Sequence, residues 1–197
     1  MSKAREEELS LLFRDARTHF AWQNRPVSDD LLRELYELVR MGPTGGNSHP
    51  LRVLFVNSAE GKEKLLPTLA PMNLEKVRTA PVTAVLAYDE AFYERMPQLF
   101  PARPEMRETL AGLPDPVRTR LAEHSALLAG GYLVLAARAL GLDAGPLGGF
   151  DPAKVNEAFF AGTTWRALLL VNLGYGEPDK LFPRNPRLTF DEACRIA

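Results

Sequence analysis

The spacing of apolar residues changes several times along the chain, and each change marks an element. Leu9, Leu12, Phe13 and Ala16 recur three and four residues apart, which predicts an amphipathic helix ending near Arg17. Ser28 is placed to cap a second helix, with Asp29 and Asp30 in its first turn. Leu31, Leu32, Leu35, Leu38 and Val39 form the buried face of that helix, and Gly42 stops it. Leu51 to Val56 and Val82 to Ala87 are short runs rich in strand formers and predict two buried strands. Arg166 to Leu173, dominated by Leu and Val, predicts a third. Ala59 to Leu69 reads as a helix that Pro67 kinks or ends, Asn73 to Thr79 as a turn of helix, and Glu90 to Met96 as a further helix.

Asp115-Pro116 opens the longest helix, a cap followed by proline at the first helical position, and Gly141 closes it after Leu140. From Ser125 to Ala137 this helix is apolar almost all round, so it needs burial on more than one side. A subunit interface and a monomer core both satisfy that need. Asp151-Pro152 begins another helix that ends before Gly162, and Thr189 with Glu192 forms a capping box for a last short one. The segment 97–116 carries Pro97, Pro101, Pro104, Pro114 and Pro116 and is expected to be a lid or a mobile excursion, because long structureless loops are uncommon in compact domains. Strands interspersed with helices give a single layered domain of mixed α and β structure.

Composition narrows the class of protein. The 197 residues are 46% apolar and 25% charged, the balance of a soluble globular domain. A formal net charge of −1 gives no electrostatic footprint for nucleic acid. The longest apolar run, Ala126 to Ala137, is short of the ~20 residues of a membrane span, and the N-terminus has no signal-peptide core, so a cytoplasmic location is expected. Cys194 is the only cysteine, which excludes an intrachain disulfide and a multi-thiolate metal site.

Two glycine-rich loops draw attention. Met41 to Pro50 contains Pro43, which fixes its φ, and Gly45 and Gly46, which permit backbone conformations closed to other residues. With Asn47 it offers amides suited to a planar ligand edged with carbonyls and ring nitrogens, although an ordinary helix-to-strand turn has the same composition. Gly141 to Phe150 is the second loop. No strand leads into Gly-x-Gly-x-x-Gly, no P-loop or Gly-x-Ser-x-Gly elbow occurs, and His19, His49 and His124 lack neighbours at metal-ligand spacing. Without an acid–base constellation, a bound cofactor is expected to carry the reaction.

Four stretches in register resemble the nitroreductase family. These are Arg17-Thr18 before Trp22, Gly42-Pro43-Thr44-Gly45-Gly46-Asn47-Ser48-His49-Pro50, Asn73-x-x-Lys76 before Ala80-Pro81, and Gly141-Leu142-Asp143 running to Gly149-Phe150. Phe92-Tyr93-Glu94-Arg95, Ala158-Phe159-Phe160-Ala161-Gly162 and Pro186-Arg187-Leu188 look like one branch, the malonic semialdehyde reductases of bacterial pyrimidine degradation. The resemblance implies an α+β fold, a three-layer α-β-α sandwich around a central, mainly antiparallel sheet. It also implies a homodimer with FMN at the subunit interface and NADH or NADPH as hydride donor.

By the same resemblance Arg17, Thr18 and His19 would hold the FMN phosphate, with Arg187 and Arg184 from the tail. Pro43, Thr44, Gly45 and Asn47 would reach the flavin ring from the partner subunit, and Asn73 and Lys76 would meet its pyrimidine edge. Pro146, Leu147, Gly148 and Gly149 would line the ring where hydride moves. The chain departs from the family pattern at Ala16 and Phe20, where basic residues are usual, at His49 in place of Gln, and at Gly148 in place of Glu. A carboxylate-bearing acceptor would need a cation, for which Arg95, Arg103 and Arg107 are the candidates.

Overall fold

The helix and strand signals sort onto one antiparallel sheet with helices on both faces. The computed structural model describes residues 5–197. The first helix, α1 (Glu6–Leu9), passes into a single π turn over Ser10–Arg14 and stops there, short of Arg17. Of its expected buried face, Leu9, Leu12 and Ala16 are half-buried, while Phe13 stays 55% exposed.

Ser28 caps α2 (Asp29–Val39), its Oγ accepting from the Leu31 N–H at 3.2 Å, and Leu32, Leu35 and Val39 are buried while Leu38 is not. After β1 (Leu51–Val56), α3 (Ala59–Leu65) gives way to a 3₁₀ turn containing Pro67, and α4 (Leu74–Thr79) precedes β2 (Val82–Asp89). The helix expected over Glu90–Met96 is instead a 3₁₀ turn, Phe92–Arg95, leading into α5 (Met96–Leu99). Pro97 explains the break, because proline fits the first turn of a new helix and not the interior of a running one.

Segment 97–116 is largely folded: α5 and α6 (Met106–Ala111) occupy much of it, Leu110 is buried in the main core, and Phe100, Met106 and Leu113 pack against it. In α7 (Asp115–Ala139), Asp115 is the first helical residue and pairs with Arg118 at 2.5 Å instead of capping. The helix ends in a Schellman arrangement. The Leu142 N–H bonds the Ala137 carbonyl (2.8 Å), the Gly141 N–H bonds that of Arg138 (3.0 Å), and Gly141 takes φ +77°.

The largest departure from the sequence pattern follows. The glycine loop expected across Gly141–Phe150 contains an edge strand, β3 (Asp143–Leu147). Pro146 cannot donate to a ladder, and an edge strand is where a sheet tolerates that loss. Then come α8 (Pro152–Phe159), with Asp151 capping the Ala153 and Lys154 N–H groups, and β4 (Trp165–Gly174). The tail carries only α9 (Phe190–Ala193), with the Thr189–Glu192 capping box in place.

The sheet order is β1-β2-β4-β3, every pair antiparallel, with one irregularity where Leu86 and Ala87 pass opposite Leu169 and Ala167. All eight residues of β2 are buried, as a central strand with both faces covered requires. Ala84, Leu86, Val171 and Leu173 pack with Leu35, Ala126 and Leu133 of α2 and α7. Val85, Ala87 and Leu170 pack on the other face with Leu65, Val77 and Val155 of α3, α4 and α8. Within one chain α7 is covered by the sheet and by α2, and Val117, Leu121, Leu127 and Leu128 are 42–48% exposed on the face turned away from them.

Candidate functional site

The predicted site residues fall into three groups. The first joins α4 to the end of β3. Asn73 is buried, donates from Nδ2 to the Gly149 carbonyl (3.0 Å) and accepts at Oδ1 from Lys76 Nζ (3.1 Å). Behind it Asn172 donates to the Lys76 carbonyl (3.0 Å) and accepts from Thr83 Oγ1 (2.7 Å), so an amide chain from the sheet interior fixes α4. Lys76 is half-buried, and among the described residues no carboxylate lies within ion-pair distance of it. A Cβ on Gly149 would sit 2.6 Å from Asn73 Nδ2, so glycine is what allows this contact. Pro146 and Gly148 are exposed, and the space above Gly148 is open. The result is an open stretch of chain beside a cation and a carboxamide.

The second group lies at the other end of β3. Arg17 donates from Nη2 to the Phe182 carbonyl (2.5 Å), and Arg184 donates to the Ala16 carbonyl (3.1 Å), tying the tail to the segment after α1. The His19 ring turns inward. It is 8% exposed, its Nε2 lies 3.4 Å from Asp143 Oδ1, and a Cβ on Gly176 would overlap it. Arg17, His19 and Arg138 line one cleft of about 310 Å³ with Asp15 and Asp143. Thr18 is exposed beside it. Arg187 is exposed and, among the described residues, bonds only the carbonyls of Asn185 and Pro186 next to it. Sequence reading missed Arg138, whose position in the last turn of an apolar helix reads as a simple partner for the helix dipole.

The third group is the loop at Gly42–Pro50, where the chain passes between α2 and α7. Tyr132 donates to the Pro43 carbonyl (3.1 Å), the Gly45 N–H donates to Ser125 Oγ (3.3 Å), and the His49 N–H donates to Thr44 Oγ1 (3.2 Å). Gly46, Asn47 and His49 all take positive φ (60°, 56° and 40°). The Asn47 carboxamide is used within the chain: Nδ2 donates to the Leu99 carbonyl and Oδ1 meets His49 Nε2, each at 2.7 Å. Arg52 holds the His49 carbonyl (3.0 Å). The cleft beside Arg17 and His19 is lined by none of Pro43, Thr44, Gly45 or Asn47, so one chain does not bring the third group to the second.

Burial, followed by the charges of Arg40 and Arg52, holds the His49 pKa below its ordinary 6.5. The unfolded chain therefore binds this proton more readily, and stability is lost as pH falls from about 6.5 towards the folded value. Urea midpoints measured between about pH 7.5 and pH 5 should fall more steeply for the native chain than for His49→Gln. Parallel curves would show that His49 contributes nothing to the pH response.

Among the described residues no cluster of three His, Cys, Asp or Glu side chains can hold a metal ion, and no helix is long and apolar enough to cross a membrane. The model of the nitroreductase family matches residues 14–175. A protein from Rhodopseudomonas palustris (strain TIE-1), named as an NADH dehydrogenase/NAD(P)H nitroreductase, is 49% identical over 191 residues, covering 97% of this chain and 96% of that one. A structure from Exiguobacterium sibiricum 255-15, named as a nitroreductase in complex with FMN, superposes with a TM-score of 0.88 at 20% identity over the whole of both chains. An enone reductase of gut-bacterial fatty acid saturation superposes with a TM-score of 0.83 at 16% identity, covering 98% of this chain and 99% of that one.

Proposed function

We infer the activity of this chain from one premise: it belongs to the nitroreductase family. Its reading is an FMN-dependent NAD(P)H oxidoreductase that works as a homodimer. The observation that carries it is the chemistry laid out along β3. Arg17, with Arg184 from the tail, supplies guanidinium groups at the Asp143 end, where paired charge-assisted bonds suit a phosphate. Pro146, Leu147 and Gly148 offer an open surface at the other end, beside the carboxamide and ammonium of Asn73 and Lys76. The residues present fit FMN in donor type and order.

Bound there, the flavin would supply two-electron hydride transfer, taking hydride from a nicotinamide and passing it to a second substrate in turn. Lys76 would supply a positive charge for the negative one that reduction leaves at the pyrimidine edge, and Asn73 holds that ammonium in place. The open space over Gly148 leaves room for donor and acceptor to stack in succession. Dimerisation is supported by two features: the exposed apolar stripe of α7 and a third group of site residues that does not reach the second within one chain.

For the acceptor, the branch resemblance favours malonic semialdehyde, reduced to 3-hydroxypropionate. Arg103 is paired with Glu105, and Arg107 with Glu94 and Glu108, whereas Arg95 has no carboxylate partner among the described residues. Arg95 faces a cleft shared with His49, Arg52 and Gln98, so it is the candidate for a substrate carboxylate. A general nitro or quinone reductase is the second reading, favoured by the name of the 49% identical relative.

The visible spectrum of the purified protein, recorded anaerobically before and after NADH or NADPH, tests the class. Flavin bands that bleach on addition of the donor are expected. Absence of bands even after adding FMN would overturn the reading. Reoxidation by malonic semialdehyde and not by nitroaromatics or quinones would support the first acceptor, and the reverse would support the second.

A further inference from the structure

We propose that Arg138 completes the phosphate-binding end of the flavin site, an inference that rests on the reading above and extends it to a residue no motif marks. Arg138 stands in the last turn of α7, where the helix carbonyls already favour a cation. Its Nη1 donates to the Leu12 carbonyl at 2.8 Å, within the π turn that follows α1. Its other donors have no acceptor among the described residues, and Nε is fully buried. A lone carbonyl needs one neutral donor, so this contact alone does not account for a buried-edge guanidinium.

The surroundings sharpen the point. Arg138 shares its cleft with Arg17 and His19, and Arg184 lies close enough to act on it electrostatically. Burial foremost lowers its pKa, the Asp143 charge acts the other way, and the Arg184 charge adds a smaller lowering. Arg17, Arg138 and Arg184 each bond backbone carbonyls, and none forms an ion pair with a carboxylate among the described residues. Two acids line the cleft. Asp143 has both oxygens engaged, one beside His19 Nε2 and the other accepting from the Gly176 N–H (2.8 Å), and Asp15 is exposed at the end of the π turn. Three guanidinium groups set against the two carboxylates that line the cleft leave an excess of positive charge that an anion relieves. Of the three, Arg138 is the one held on a long helix packed in the core, so it gives the subsite a fixed wall that the tail arginine cannot.

The test compares FMN with riboflavin, which lacks the phosphate, on flavin-free full-length protein by fluorescence titration. In Arg138→Met, FMN affinity should fall about 10- to 100-fold, the range for losing a hydrogen bond to a charged group, while riboflavin affinity changes less than about twofold. Arg138→Lys keeps the charge without the fork and should lose less. Equal weakening of both flavins in either variant, or no change in FMN affinity, would overturn the role of Arg138. If Arg138→Met fails to fold, Arg138→Lys decides by the same ratio. A native chain that binds neither flavin would overturn the reading of the whole site, a result distinct from a native chain that binds FMN and a variant that binds it equally well.

Discussion

Replacing Asp89 by alanine should lower the stability of the chain by about 3 kcal/mol, the cost of breaking a buried ion pair and stranding one partner. Asp89 closes the end of β2 with every acceptor in use. Oδ2 takes Arg52 Nη2 at 2.7 Å, and Oδ1 takes the Ala91 N–H at 3.0 Å and the Thr164 hydroxyl at 2.5 Å. The side chains are only 11% and 22% exposed, so solvent screens the pair little. Removing the carboxylate leaves the Arg52 guanidinium half-enclosed with only carbonyls for company. For a chain of this size the loss corresponds to a drop in Tm of about 6–12 °C. Arg52→Ala in the same background should then add little, because the partner is already gone. A Tm within about 1 °C of the native value would show that the network is not a stabilising one. Arg52 also grips the His49 carbonyl, so the loop after Gly42 should loosen with it.

Lys76→Met should leave flavin binding nearly intact and slow reduction by NAD(P)H about 100-fold or more, the effect of removing one preorganised charge from a site of developing charge. Met keeps most of the length and apolar stem of the side chain, so packing on α4 is little disturbed. The measurement is anaerobic stopped-flow bleaching of the flavin bands. Lys76→Arg should recover part of the rate, since charge returns with a different shape. Reduction as fast as in the native protein would remove Lys76 from the chemistry and leave it a tether for Asn73.

The sequence pattern located the layers better than the edges. The three apolar strand runs were legible because each is rich in Val and Leu, although the first, β1, is an edge strand buried only at Leu51 and Val56 and not the fully buried strand expected; α7 was legible from Pro116 and Gly141 at its ends. β3 was not, because Gly145 and Pro146 spell a turn, and only tertiary placement beside β4 makes them a strand. Gly145 is there because a Cβ would come within 2.7 Å of the His19 carbonyl, a contact between residues far apart in the chain that no local pattern can announce.

The site was legible in residue type more than in geometry. Asn73 bonds both Lys76 and Gly149, a contact that residue type alone did not announce. Asn47 was expected to offer free amide groups, yet its own positive-φ turn points both ends of the carboxamide at His49 and Leu99. Arg138 was invisible because its meaning lies in three elements converging on it, not in its neighbours along the helix.

The strand order has a bearing on how the chain acquires its shape. β1 with β2, and β3 with β4, join residues a few tens of positions apart, whereas β2 and β4 join residues about 80 positions apart. Local pairings form first and distant ones late, so the sheet should assemble as two halves whose seam is its most buried strand. During synthesis β2 would emerge after β1, α2, α3 and α4 but long before its second partner, with both apolar faces only part-covered until α7, α8 and β4 arrive. That interval is when the nascent chain has most need of a chaperone.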